Sequence, residues 1–376
     1  MRFPLIRALL ASLLLTAAAC VAADPITVTD IAGRQVTLAH PAQRVILADA
    51  RALQALQIVH PDDPFKNLIA WDNTLKTKAP DLYALYLQRF PQLSKLPMLE
   101  NAYLSDFSVE RTVQMRPDLI IFDFGVLEKL KQSRVLDQLE KIGVPVVFID
   151  FRLRPLSSSV PSIRLLGKVL GDEQHAEAWS QFYQQRLSLI RDRTASLTAQ
   201  QRPLVFIERH AGMTGDECCF TYGKGSFGEF IETAGGKNVG SDLFSGKNGT
   251  IGLEQLITSQ PGKYLMTGAD WSDNYKQSIG VPLGYTADLK LAQQRLDHLL
   301  NRNGLNVLKA VKQRDVMVIY HQFYDSPLNI LAVEAMAKFL HPQLFTDLNP
   351  QADLETVHHD FLKMPYSGLF WLTATP

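Results

Sequence analysis

The sequence predicts an α/β protein of two doubly wound lobes joined by a long, rigid helical segment. Three observations predict it. Strand-like apolar runs alternate with helix-spaced apolar patterns between residues 44 and 149, the order that builds a parallel sheet. Over residues 157–200 only helical stripes are found, and the alternation restarts after Pro203. A pattern of glutamate, aliphatic and proline at fixed spacing then occurs once in each half, in Ser108–Ile120 and again in Gly252–Tyr264. The 376 residues exceed one typical domain. The expected division is a first lobe over 24–156, a connector over 157–200 and a second lobe over 201–376. Hydrophobic residues make up 46% and charged residues 20%, enough to build buried cores. Lysine plus arginine (38) equals aspartate plus glutamate (38), so nothing points to nucleic acid or an anionic membrane surface.

Residues 1–23 read as a secretory signal peptide. Arg2 and Arg7 flank the start, Ala8 to Ala19 is apolar but too short to span a bilayer, and Val21-Ala22-Ala23 offers a small-residue cleavage site. Cys20 adds a second possibility. Ala17-Ala18-Ala19-Cys20 resembles a bacterial lipobox, although Ala17 stands where a leucine is expected, so a lipid anchor at Cys20 is the alternative to a freely exported chain.

Along the body, Ile26–Asp30 and Gln35–Leu38 alternate on either side of Gly33, as a hairpin does. Arg44–Ala48 reads as a short strand and Ala50–Ile58 as helix. Leu68–Ala70 and Leu119–Phe122 are further strands. Val126–Ile142 is expected as one helix stopped by Gly143, before the buried strand Val144–Ile149. In the connector, Val160, Ile163, Leu166 and Val169 make one stripe. Gly171 breaks it, Asp172 caps the next helix, and Ala176, Trp179, Phe182 and Ile190 carry a second stripe to about Leu197. After Pro203, Leu204–Ile207, Tyr264–Met266 and Val316–Tyr320 are strands, with helices at Phe227–Ala234, Leu253–Thr258 and Leu328–Leu340. The adjacent Cys218 and Cys219 are expected as two thiols, since joining neighbours closes a strained ring, and no second CxxC-type pair completes a zinc site.

Several segments in order resemble the periplasmic binding proteins for ferric siderophores, heme and cobalamin. They are Asp30–Ile46 (with Gly33, Arg34, Pro41 and Arg44), Arg116–Phe122 followed by Gly143-Val-Pro-Val-Val, and Gly225–Ile231 followed by Gly235–Val239. The resemblance implies two α/β lobes on a helical backbone, a ligand cleft between them, small hinge motion, a periplasmic location and an ABC importer as partner. It also implies that Glu110 and Glu254 present one acid on each lobe to permease arginines. The alternative reading of each is a first-turn helix glutamate favoured by the helix dipole.

Ligands of open α/β sheets lie beyond the carboxyl ends of the strands. That rule gathers Arg51, Trp71, Phe124, Arg152 and Arg154 from the first half, and Arg209, His210, Trp271, His321, Phe323 and Tyr324 from the second; Tyr222 joins them. Guanidinium forks with aromatic walls suit an anionic, bulky ligand such as an Fe(III) chelate of siderophore or citrate type. Each arginine alone reads equally as a surface or intra-lobe ion pair, and each tryptophan as lobe packing. His210, His321, Tyr222 and Tyr324 are the candidates for direct metal ligation, though no HExxH or paired helical histidines support it, and His358-His359 is expected to face solvent. Gly223–Gly228 lacks a phosphate-loop pattern and reads as a turn into a helix. The expected function is delivery of a ferric-siderophore-type chelate to a membrane permease by a monomeric receptor with no intrinsic cofactor. Cobalamin or heme is the alternative cargo, and a secreted hydrolase on siderophore-like esters the alternative of another class, with no GxSxG elbow to support it.

Overall fold

The computed structural model describes residues 24–103, 107–244 and 248–374. The signal-peptide and Cys20 expectations lie outside the described residues. No helix among them is long and apolar enough to cross a membrane.

β1 (Ile26–Thr29) and β2 (Gln35–Leu38) form the expected hairpin about Gly33, whose φ of +77° is the left-handed turn that glycine tolerates. The first lobe is a five-stranded parallel sheet of β3 (Val45–Leu47), β4 (Leu68–Asp72), β5 (Met98–Leu99), β6 (Leu119–Asp123) and β7 (Val146–Ile149), ordered β5-β4-β3-β6-β7. Its strands are apolar without alternation because both faces are covered. Ile46, Ile120, Phe122 and Phe148 pack into one cluster. Leu47, Leu119, Ile121 and Val147 point the other way, into a core continuous with the connector and the second lobe.

The second lobe holds β8 (Leu204–Glu208), β9 (Phe220–Tyr222), β10 (Lys237–Asn238), β11 (Asn248–Thr250), β12 (Lys263–Gly268), β13 (Val316–Tyr320) and β14 (Trp371–Thr373). β10, β8, β12 and β13 run parallel; β9, β11 and β14 are antiparallel additions, so this sheet is mixed. The expected parallel sheet is therefore only its centre. The additions are three residues each, too short to register as strand patterns in the sequence.

Two antiparallel helices, Pro155–Leu170 and Glu173–Ala195, connect the lobes. Gly171 turns between them at φ +77°, and the Asp172 carboxylate accepts from the His175 N–H as the N-cap. Tyr183 Oη donates to Asn329 Oδ1 at 2.6 Å, and Asn329 Nδ2 donates to Ser159 Oγ at 2.9 Å. One fully buried asparagine thus ties both connector helices to the Asn329–Leu340 helix of the second lobe.

Three expectations are corrected. Val126–Ile142 is two helices, Leu127–Gln132 and Val135–Lys141, because Arg134 adopts φ +57° between them. Cys218 and Cys219 are joined to each other as a disulfide. His358 is fully buried, its Nδ1 donating to the Leu354 carbonyl at 2.8 Å and its Nε2 facing Tyr285 Oη at 3.2 Å; only His359 is exposed.

Candidate functional site

Four aspartates at the carboxyl ends of the first-lobe strands build one wall of the cleft, and each turns back onto backbone N–H groups. Asp49 accepts from Arg51 N, Asp72 from Ala50 N and Thr74 N, Asp123 from Gly125 N, and Asp150 from Arg152, Leu153 and Arg154 N. Short acidic side chains favour such local turns. Here they position Arg51 and Arg152 at the cleft.

Those arginines are largely committed within the protein. Arg51 is buried between Asp49 Oδ2 at 2.6 Å and Asp325 Oδ2 at 2.7 Å, and also donates to Tyr324 Oη. Arg152 pairs with Asp123 at 3.0 Å and contacts the Tyr103 hydroxyl, over whose ring it lies. Burial pushes the Asp123 carboxyl well above its ordinary value, helped by the fields of Asp325 and Asp49. Burial also acts to raise Asp49, but Arg51 outweighs it and holds that carboxyl below its usual value.

Arg209 differs. It stands over Phe220 and Tyr222, 5.0 and 5.1 Å from their centroids, and none of the ion pairs among the described residues includes it. A chamber of about 110 Å³ opens between it and Arg152, walled by Tyr222, Ser226, Asn248 and Tyr324. Four buried polar atoms on this chamber make no hydrogen bond: Arg152 Nε, Arg209 Nε, Tyr222 Oη and Ser226 Oγ. A second chamber of about 210 Å³ shares Arg152 and Tyr324 and extends past Arg51, Asn73, Lys78 and Tyr103. Both chambers have walls from both lobes.

The remaining candidates separate. His210 and His321 meet with Nε2 atoms 3.1 Å apart, beneath Trp271, whose ring is 5.8 Å from each imidazole. Exposed Arg154 lies over Phe124 at 5.1 Å and lines neither chamber. Two expectations are corrected. Trp71 is completely buried and packs on Tyr83, because it belongs to β4 and its side chain enters the core face. Phe323 is buried among Tyr320 and Phe370. Glu110 and Glu254 are exposed in the first turns of Val109–Gln114 and Leu253–Ser259, helices that precede β6 and β12 in the two lobes. Sequence reasoning missed Tyr103, Ser226 and Asn248. Tyr103 follows a two-residue strand, and Asn248 begins a three-residue one, neither of which has a readable pattern.

A family described as periplasmic binding protein matches residues 63–322. The chain belongs to this family. Its members are periplasmic and work with ABC-transporter permeases on small solutes. The TroA-like periplasmic binding protein FepB from Veillonella parvula has a similar structure, with TM-score 0.86, 27% identity, 93% of this chain covered and 100% of that one. The molybdate periplasmic binding protein MolA of Haemophilus influenzae shares the fold at TM-score 0.67 and 18% identity, covering 91% of this chain and 99% of that one. A periplasmic heme-binding protein from Pseudomonas aeruginosa does so at TM-score 0.52 and 20% identity, over 80% and 94%. No curated protein matches the chain.

Proposed function

We propose that this periplasmic binding protein carries an anionic metal chelate, of ferric-siderophore or ferric-citrate type, in the cleft between its lobes, and that residues 1–23 export it. The observation that carries this reading is the set of buried donors without hydrogen bonds on one chamber. Arg209 Nε, Tyr222 Oη and Ser226 Oγ are all able to donate, Arg152 Nε beside them lies 3.9 Å from Asp325 Oδ2, and among the described residues no carboxylate pairs with Arg209. Buried donors left without acceptors are costly, and an incoming carboxylate, catecholate or hydroxamate oxygen would satisfy them. Burial raises the Tyr222 hydroxyl well above its usual value, so it stays a donor at neutral pH.

The chamber volumes refine the ligand. At about 110 and 210 Å³ each is smaller than the roughly 300–1,000 Å³ of a typical drug-sized site. A chelate would therefore seat across both, with the shared Arg152 and Tyr324 moving aside, and a compact chelate fits better than a bulky one. The permease would engage the exposed Glu110 and Glu254.

The test is a tryptophan-fluorescence titration with ferric citrate, ferric siderophores, heme and cobalamin. A ferric chelate is expected to saturate, and Arg209→Ala to weaken it by roughly 10- to 100-fold, the worth of one charge-assisted hydrogen bond. Saturable cobalamin or heme binding with no response to any ferric chelate would sink the proposal.

A further inference from the structure

The solute reading leaves the Cys218–Cys219 disulfide without a role. Its place in the chain supplies one. The pair immediately precedes β9, whose Phe220 and Tyr222 rings carry Arg209. A bond between adjacent side chains closes a small ring that includes the backbone between them. It therefore removes conformational freedom from the residues leading into Phe220.

β9 is lightly held by other means. It is 3 residues long and pairs with β8 only at Glu208 and Thr221. Its other neighbour is the equally short β11, and Thr221 Oγ1 donates to the Ile207 carbonyl at 2.7 Å. Just upstream, Arg302 Nη1 donates to the Glu217 carbonyl at 3.3 Å and the Ile251 N–H to the Cys219 carbonyl at 3.2 Å, both long for such bonds. The position of Phe220 reaches Arg209 by two routes. The Arg209 N–H donates to the Phe220 carbonyl at 2.7 Å, and the guanidinium rests over the Phe220 ring. Arg209 Nε itself has no hydrogen bond.

The two sulfurs differ in access. Cys219 is buried, whereas Cys218 is half-buried and follows the exposed Asp216 and Glu217. Attack by a small dithiol thus falls on Cys218. Its thiolate bonds to Cys218 Sγ, the S–S bond breaks, and Cys219 leaves as a thiolate that takes up a proton. The second thiol of the reductant then displaces Cys218. The protein gains two electrons and two protons, and the dithiol becomes its own disulfide. An oxidising compartment such as the periplasm restores the bond.

We propose that Cys218–Cys219 is a redox modification site that sets the position of Arg209. Oxidised, it holds the Phe220 platform and the guanidinium at the chamber. Reduced, it loosens both and weakens the hold on an anionic solute. The proposal rests on the reading of that chamber as an anion site.

The experiment uses the chain from residue 24 onward, exported to an oxidising compartment, before and after dithiothreitol and oxygen-free desalting. Thiol titration should find no free thiol before reduction and both cysteines free after it. The probe is Ga(III) citrate, a redox-inert counterpart of the ferric chelate, followed by calorimetry. On reduction the Arg209 amide should exchange faster and Ga(III) citrate should bind more weakly, each by roughly 3- to 10-fold, the size of one hydrogen bond's contribution. Cys218→Ser combined with Cys219→Ser should match the reduced protein. In Arg209→Ala the two redox states should bind alike, because the effect passes through that side chain; a disulfide that only stabilised the fold would act equally in both backgrounds. Free thiols before reduction, equal Arg209 exchange in the two states, or an undiminished redox effect in Arg209→Ala overturns the inference. Absence of Ga(III) citrate binding in either state overturns the anionic-chelate reading, and Arg209 exchange then decides the inference alone.

Discussion

Asp72 shows how much one buried carboxyl is governed by its surroundings. It is buried against Asp49, and these two effects, burial first, raise it to about 7 despite hydrogen bonds from Thr74, Ala50 N and Asn101. A raised carboxyl holds its proton more tightly in the folded state than in the unfolded one. Between pH 4 and about 7 the native chain thus binds more protons, and stability falls as pH rises through that window. The Asp72 contribution to this decline is absent below pH 4 and complete above about 7. Urea unfolding between pH 5 and 7.5 should therefore show a shallower loss in Asp72→Asn than in wild type; parallel slopes would contradict it. The sequence revealed that acids and arginines follow the first-lobe strands. It did not reveal that Arg51 is neutralised by Asp325, because that partner lies 274 positions away across the cleft. Residue type is local information, whereas the occupancy of a guanidinium depends on the fold.

Turns and short helices decide how the strand ends reach the cleft. Gly228 opens the Phe227–Thr233 helix, and a Cβ there would lie 1.8 Å from the Gly223 carbonyl oxygen, a backbone atom that cannot swing away. Gly228→Ala should cost about 1–3 kcal/mol. It should also disturb the loop carrying Gly225 and Ser226, weakening chelate binding in the same titration. Calorimetric melting with no change would refute this. The repeated helix-then-strand units carry their own prediction. Glu110→Lys combined with Glu254→Lys should abolish uptake in cells and leave affinity unchanged in vitro, since charge at a docking surface orients partners and neither residue lines the cleft. At this scale the long apolar strands and the Gly171 break were legible. The Pro80–Arg89 and Leu289–Leu300 helices carry a proline in the first turn and an Asp288 cap respectively, signals present in the sequence but passed over. Arg134 was not legible, since arginine is an ordinary helix residue and nothing in its type marks a left-handed conformation.

The two lobes are bonded directly as well as through the connector. Asp81 accepts from Tyr320 Oη at 2.9 Å and from Tyr285 N at 3.0 Å. Gln54 donates through Nε2 to Tyr285 Oη and accepts through Oε1 from Ser326 Oγ, both at 2.9 Å. Asp81→Ala would leave the Tyr320 hydroxyl and Tyr285 N–H without that acceptor, at a cost of about 1–3 kcal/mol. Hydrogen exchange at Tyr285 should accelerate, and unchanged exchange would show that the bridge does not hold the lobes. The two-lobed plan was visible in the restarted strand pattern. The bridge was not, because its members are ordinary polar residues whose meeting depends on how the lobes face each other.

The helical pair that Asn329 fastens has a consequence for whatever meets the outer surface. It acts as a spine, and a spine of two packed helices flexes little. On the proposed docking at Glu110 and Glu254, the span between their carboxylates would then be a nearly constant gauge, like the fixed points of a caliper. A partner reading both would be selecting for matched spacing, and an insertion lengthening one arm would be rejected even with every contact residue intact.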